Sequence, residues 1–199
     1  MTVSMTPSWH AQHTPAASAI IMGSTGETTT YAELEDRSRR LAQALRSRGL
    51  TEGGHIAILM ENSSQFLEVA WAAQRSGLHY TAVNTHLRHA EVQYVLDDCG
   101  ATALVTSATM ASVIASLDLS RVSVRVCAVG ELAGFERYDE ILAHESALPP
   151  AEESEGREML YSSGTTGRPK GVRKQRPGTA FGDPAAAPVQ IARGISAPG

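Results

Sequence analysis

Between residues 55 and 127 the chain alternates strand-sized apolar runs with helix-length amphipathic segments, and this alternation limits the fold more than any other feature. The runs are Ile56-Ala-Ile-Leu-Met60, residues 78 to 83, Ala101-Thr-Ala-Leu-Val-Thr106 and Val122-Ser-Val-Arg-Val-Cys127. Helices are predicted between them, from Ser64 to Arg75 with Gly77 as a stop, at 89 to 98 and at 108 to 117. Strands separated by helices of about ten to fifteen residues argue for βαβ units. The expected class is therefore α/β, a mainly parallel sheet with flanking helices. Phe66, Leu67, Ala70 and Trp71 are predicted to share the helix face that covers the sheet.

Upstream, residues 1–16 are rich in Ser, Thr, Pro and His without periodicity and read as a loose leader. Ala19 to Met22 and Glu27 to Thr30 flank Gly23-Ser-Thr-Gly26, which predicts two short strands joined by a turn. Thr30 and Glu33 have capping-box spacing, so a helix should start there; Leu34, Leu41 and Leu45 supply its buried stripe and Gly49 its end. Between 131 and 158 stand nine of the 21 acidic residues, which reads as a solvated connection with one short helix at Asp139 to His144. After Arg176, 14 of the last 23 residues are Gly, Pro or Ala. The expected division is a leader at 1–16, a domain at 17–176 and a Gly/Pro/Ala-rich tail at 177–199.

With 199 residues, 42% of them hydrophobic, and a net charge of -4, the chain has enough apolar material for a core and the wrong charge for coating nucleic acid. Cys99 and Cys127 form no CxxC pair, and no basic patch followed by an apolar run opens the chain, a pattern that suits a reduced, cytoplasmic setting. No stretch approaches the roughly 18 apolar residues a membrane span needs.

Chemistry concentrates in Met159-Leu-Tyr-Ser-Ser-Gly-Thr-Thr-Gly-Arg-Pro-Lys-Gly171. Glycines at 164, 167 and 171 let the backbone approach an anion without a Cβ in the way. Ser162, Ser163, Thr165 and Thr166 add hydroxyl donors, successive amides can form a nest around phosphate oxygens, and Lys170 adds a point charge. Each hydrogen bond to a charged phosphate oxygen contributes roughly 1.5 to 3 kcal/mol. Met159 to Tyr161 reads as the end of a strand, which would set the loop at the carboxyl edge of the sheet, where α/β folds bind ligands. A Walker A loop is excluded, because Pro169 stands five residues after Gly164 and Gly171 follows Lys170. No GxGxxG occurs.

What remains, S-S-G-T-T-G-x-P-K-G, resembles at every position the phosphate-loop signature of the AMP-forming acyl-CoA synthetase and luciferase superfamily. Thr30-Tyr-Ala-Glu-Leu34 looks like that family's opening helix and Gly54-His-Ile-Ala-Ile-Leu-Met60-Glu-Asn62 like its first sheet strand. Ala70-Trp-Ala-Ala-Gln-Arg-Ser-Gly77, Tyr80-Thr-Ala-Val-Asn84 and Asp97-Asp-Cys-Gly-Ala101 are similar to the elements that come next, although the family commonly has proline where Ala82 stands. The resemblance covers residues of about 18 to 176, is closest to fatty-acyl-CoA synthetases, and implies an incomplete N-terminal domain of an adenylate-forming enzyme.

The resemblance also implies the activity. A carboxylate attacks the α-phosphate of ATP, with Mg2+ accompanying the nucleotide, to give an acyl-adenylate and pyrophosphate; coenzyme A then displaces AMP. Ser162, Ser163, Gly164, Thr165, Thr166, Gly167 and Lys170 would wrap the β- and γ-phosphates and position them electrostatically. The family's adenine, ribose and Mg2+ motifs, its hinge and its catalytic lysine lie downstream, so no catalytic residue is expected here and the metal ligands are unknown. The remainder would come from a missing C-terminal portion or a partner chain. Two other readings stay open: a non-catalytic nucleotide- or phosphate-binding module, and a non-functional remnant of a truncated gene. Arg168, Lys170, Arg173, Lys174 and Arg176 are expected to form a solvated flank of the loop rather than a nucleic-acid surface. His10, His13, His86 and His89 are read as surface residues, Trp71 and Tyr94 as core, and Cys99 as a small buried residue.

Overall fold

The computed structural model describes residues 6–162 and 169–183. Its elements, in chain order, are α1 (Pro7–His13), β1 (Ser18–Ile21), β2 (Thr28–Thr30), α2 (Tyr31–Ser47), β3 (His55–Leu59), α3 (Ser64–Arg75), β4 (His79–Ala82) and α4 (His89–Cys99). There follow β5 (Ala103–Ser107), α5 (Ala111–Ile114), β6 (Val124–Val129), β7 (Glu136–Arg137), α6 (Tyr138–Ala143), β8 (Arg157–Ser162) and β9 (Lys170–Arg173). β1 and β2 form a separate antiparallel hairpin. The main sheet has the order β7-β6-β5-β3-β4-β8-β9, and every pairing is parallel except β8 with β9. The α/β class with a mainly parallel sheet and flanking helices therefore stands.

Burial follows from the two covered faces. Ile56, Ile58, Val105 and Val126 pack with residues of α2, α3 and α6 in one cluster. Ala57, Leu59 and Leu104 pack with α4 and α5 in the other. All five residues of β3 and all five of β5 are buried, as expected of central parallel strands covered on both sides. Each large aliphatic side chain so buried contributes about 1.5 to 3 kcal/mol.

Helix ends match their local signals. Thr30 Oγ1 accepts from the Glu33 amide at 3.2 Å while Glu33 accepts from the Thr30 amide at 2.8 Å, a complete capping box. At α4 the Glu91 carboxylate likewise accepts from the Arg88 amide at 2.9 Å.

Four expectations change. The expected leader contains α1, which packs on α2, and Ser8 donates to Glu35 at 2.7 Å. On α3, Ala70 is buried and Phe66 packs against the core as expected, but the interior face continues through Val69, Ala72 and Ala73 with Glu68 and Arg75, while Leu67 is 39% exposed and Trp71 only partly buried. Small residues let α2 and α3 approach closely, and ion pairs take up the polar positions: Arg37 reaches Glu68 at 2.8 Å, and Arg75 reaches Glu35 at 2.6 Å. The predicted helix at 108 to 117 is one 3-10 turn plus α5. The acidic connection is also more than solvated surface, since β7 extends the sheet and Tyr138, Ile141, Leu142 and Glu155 are buried.

The first residues of the expected tail fold back on this connection. Glu155 N donates to Thr179 O at 3.0 Å, Phe181 N to Glu153 O at 3.3 Å and Gly182 N to Glu155 Oε2 at 3.0 Å. The Phe181 ring lies 5.0 Å from the Arg75 guanidinium and meets Trp71 edge-on. Arg75 is thereby fully enclosed.

Candidate functional site

β8 enters the sheet where Gly156 slides under the end of α3. Its amide donates to Gln74 O at 2.6 Å, and a Cβ at this position would stand 2.8 Å from Ala73 O. Only glycine fits so close an approach. The strand then runs parallel to β4, with His79 opposite Arg157 and Tyr80 opposite Glu158, so it points its carboxyl end the same way as β3 and β4. Beyond Glu158 the ladder with β4 ends and β8 pairs only with β9, Met159 with Arg173 through to Ser162 with Lys170.

Ser162 and Lys170 are therefore the last rung before the loop, at the carboxyl edge of the parallel sheet. Both are exposed, and Lys170 has no ion-pair partner among the described residues. An uncompensated ammonium at that position fits a phosphate ligand. Ser163, Gly164, Thr165, Thr166 and Gly167 lie outside the described residues. Beside the rung a cavity of about 120 Å³ is lined by Val83, Asn84, Leu87, Tyr161 and Pro169, among others. Among the described residues no group of His, Cys, Asp or Glu side chains gathers to hold a metal ion, so no seat for Mg2+ is assigned.

The end of β8 is held by side chains. Thr81 Oγ1 donates to Met159 O at 3.1 Å, and the Tyr161 hydroxyl donates to Asp98 Oδ2 of α4 at 2.5 Å. Burial and the carboxylate beside it push the Tyr161 phenol upward, so it stays protonated as a donor. Neither anchor is visible in the sequence, because Asp98 lies 63 residues from Tyr161 and no motif joins them.

Away from the loop Arg173 and Lys174 are exposed, as a solvated flank should be, and Arg176 is partly buried. Arg173 stands about 10 Å down the strand from Lys170 by strand rise, on the rung with Met159. Lys174 pairs with Glu158, and Arg176 with Glu52. Burial pushes the Glu158 carboxyl up, but the hydrogen bond from Lys174, a backbone hydrogen bond and the charges of Lys174 and Arg157 together hold the group below the usual range. Here too lie His55 and His79, whose rings stack at 5.8 Å. Since Thr81 Oγ1 donates to Met159 O, it accepts from His55 Nε2 at 2.8 Å, which leaves His55 Nδ1 an unpartnered acceptor among the described residues. Burial, then the charge of Arg173, brings His55 down to about 4. Cys99 is buried, and burial pushes its thiol up to about 11, the behaviour of an inert packing residue. Of the other histidines, His10 stacks on Tyr31 and His13 on Trp9. Tyr94 packs partly buried against the α4 cluster.

Comparison with known proteins agrees with this geometry. The chain is 31% identical over 173 residues to the fatty acid–[acyl-carrier-protein] ligase ScoC of Streptomyces coeruleorubidus, covering 86% of this chain and 32% of that one. It is 32% identical over 168 residues to 4-coumarate–CoA ligase 1 of Oryza sativa subsp. japonica, covering 79% and 30%. Among solved structures, the N-terminal domain of FACL13 from Mycobacterium tuberculosis superposes with a TM-score of 0.69 at 27% identity, over 83% of this chain and 42% of that one. The chain thus spans about a third of the length of these two curated relatives. The model of the AMP-binding enzyme family matches residues 8–175, and the chain belongs to that family.

Proposed function

We propose that this chain supplies the ATP-gripping N-terminal part of an AMP-forming acid–thiol ligase, with Ser162, Ser163, Gly164, Thr165, Thr166, Gly167 and Lys170 on the β- and γ-phosphates. The observation that carries the proposal is the exposed Lys170, without an ion-pair partner among the described residues, opposite Ser162 at the carboxyl edge of a parallel sheet, on either side of a Gly/Ser/Thr loop. In the reaction so served, a carboxylate oxygen bonds to the α-phosphorus as the bond to the bridging oxygen breaks and pyrophosphate leaves. A thiol sulfur then bonds to the acyl carbon as AMP departs. Charge builds on the departing pyrophosphate, so a fixed cation and several N–H and O–H donors there favour the transition state. Mg2+, when bound with the nucleotide, would neutralise further phosphate charge. Coenzyme A is the proposed thiol and a fatty acid the proposed acid; relatives named for fatty and for coumaric acids both support the ligase class. Free, buried cysteines suit a cytoplasmic setting.

ATP titrated into the protein by calorimetry should bind saturably and lose most of its affinity in Lys170→Ala. Full affinity in that variant would remove the loop from the proposal. Residues 1–199 should give no acid-dependent ATP/pyrophosphate exchange, and robust exchange would show that the chain turns over unaided. A second reading, a non-catalytic nucleotide-binding module, is favoured by the fold-back of residues 177–183 over Arg75, which covers the polar end of α3. ATP binding by a monodisperse protein with no exchange activity, alone or with the remainder of such an enzyme, would select it.

A further inference from the structure

The mouth of the loop has little backbone support. Among the described residues, β8 is laddered to β4 only through Glu158, and the four residues that lead to the loop pair with β9 alone, itself the last strand of the sheet. Hairpins of two strands are marginal in water without further contacts. Among the described residues two side-chain bonds link this end of β8 to neighbouring elements: Thr81 to Met159 O, and Tyr161 to Asp98 at 2.5 Å. The second is the nearer to the loop, one residue before Ser162.

Tyr161 also governs the opposite strand. It faces Gly171, where a Cβ would stand 2.9 Å from the Tyr161 Cζ and 3.0 Å from its hydroxyl. The Tyr161 ring therefore crosses β9 at a residue without a side chain and continues to α4. Its body packs in the α4 cluster and walls the 120 Å³ cavity beside Ser162 and Pro169. One side chain so ties β8, β9 and α4 together at the point where the chain enters and leaves the loop.

We propose that Tyr161, seated over Gly171 and bonded to Asp98, is a positioning residue that fixes the spacing of Ser162 and Lys170 and so sets the grip of the loop on phosphate. This rests on the reading of the loop as a phosphate site. A net hydrogen bond of about 0.5 to 1.5 kcal/mol corresponds to roughly a two- to tenfold change in an equilibrium constant.

The test measures ATP affinity, melting temperature and amide hydrogen exchange on the full chain for wild type, Tyr161→Phe, Asp98→Ala, Asp98→Asn and the double variant Tyr161→Phe/Asp98→Ala. Tyr161→Phe keeps the ring and loses the hydroxyl; it should weaken ATP about two- to tenfold, speed exchange at Leu160 to Ser162 and Gly171, and leave the melting temperature close to wild type. Asp98→Ala should match it, the double variant should be no worse than either single one, and Asp98→Asn, which keeps an acceptor, should recover much of the loss. Exchange and affinity unchanged in both single variants, or additive losses in the double, would overturn the proposal. A melting temperature that falls in step with affinity would reduce Tyr161 to a packing residue. Faster exchange in a protein whose wild type binds no ATP would keep the anchor as a structural fact but overturn its role on phosphate, and with it the phosphate reading itself. If Tyr161→Phe fails to fold, Asp98→Ala, a change at an exposed carboxylate, carries the same test.

Discussion

The centre of the sheet and its β8–β9 edge are built on opposite principles. In β3 and β5 every residue is buried and each strand has parallel neighbours on both sides. In β9 every residue is exposed, and Leu160 and Val172, which face each other across the hairpin, are 52% and 56% exposed. The centre is determined by apolar area removed from water, which is non-directional and roughly proportional to the area buried. The edge is determined by a few directed contacts, each of modest strength. Candidate chemistry sits at the edge, where donors can meet a ligand, and stability sits at the centre.

That contrast predicts a graded series of effects. The largest should come from the body. Arg75→Ala empties a fully enclosed position and takes from Glu35, a 4% exposed carboxylate, one of its two arginines, leaving Arg39 at 2.7 Å; it should cost about 3 kcal/mol in chemical denaturation, the low end for a broken buried pair. A loss under about 1 kcal/mol would mean that the enclosed ion pair adds little to the apolar core.

The next effect lies on the seam between the two regions, where His55 of β3 is bonded to Thr81 and so to Met159 of β8. Its folded value of about 4 lies below the unfolded value near 6.5. The neutral ring is therefore favoured by folding; this stability is complete above pH about 6.5 and is lost as pH falls toward 4. The depression corresponds to roughly 3 kcal/mol. In His55→Gln the slope of stability against pH across this window should flatten, and an unchanged slope would assign acid sensitivity to other groups.

Thr30→Ala removes the oxygen that accepts from the Glu33 amide and should cost about 1 kcal/mol in thermal or urea unfolding. The smallest effect belongs to the edge. Leu160→Thr with Val172→Thr should shift stability by no more than about 0.5 kcal/mol while lowering self-association in sedimentation, because apolar side chains on an outer strand invite pairing between copies. A loss comparable with that of Arg75→Ala would erase the distinction between centre and edge.

The body was readable from the sequence because its determinants are local and periodic. Ser64 to Arg75 is the helix the spacing predicts, and the Thr30/Glu33 box forms as written. Periodicity put Phe66 and Ala70 correctly on the inner side of that helix but added Leu67 and Trp71, where the packed face continues instead through Val69, Ala72 and Ala73 with an enclosed Glu68 and Arg75. The partners that make those charges tolerable, Arg37 and Glu35, belong to another helix. β7 and β9 left no trace because Glu136-Arg137 and Lys170-Gly-Val-Arg173 carry no strand pattern of their own. At the site, glycine and hydroxyl spacing announced the loop, whereas its anchor, Asp98 to Tyr161, is a tertiary contact that no local pattern encodes.

Residues 177–183 carry a practical consequence. The family resemblance stops at 175, yet Phe181 closes over Arg75 and Gly182 donates to Glu155. Contacts among the described residues thus run past the end of the family match. A protease cut or a fusion junction introduced at the family limit would uncover a guanidinium that no water reaches in the intact molecule, whereas one placed after Asp183 would leave every described contact in place.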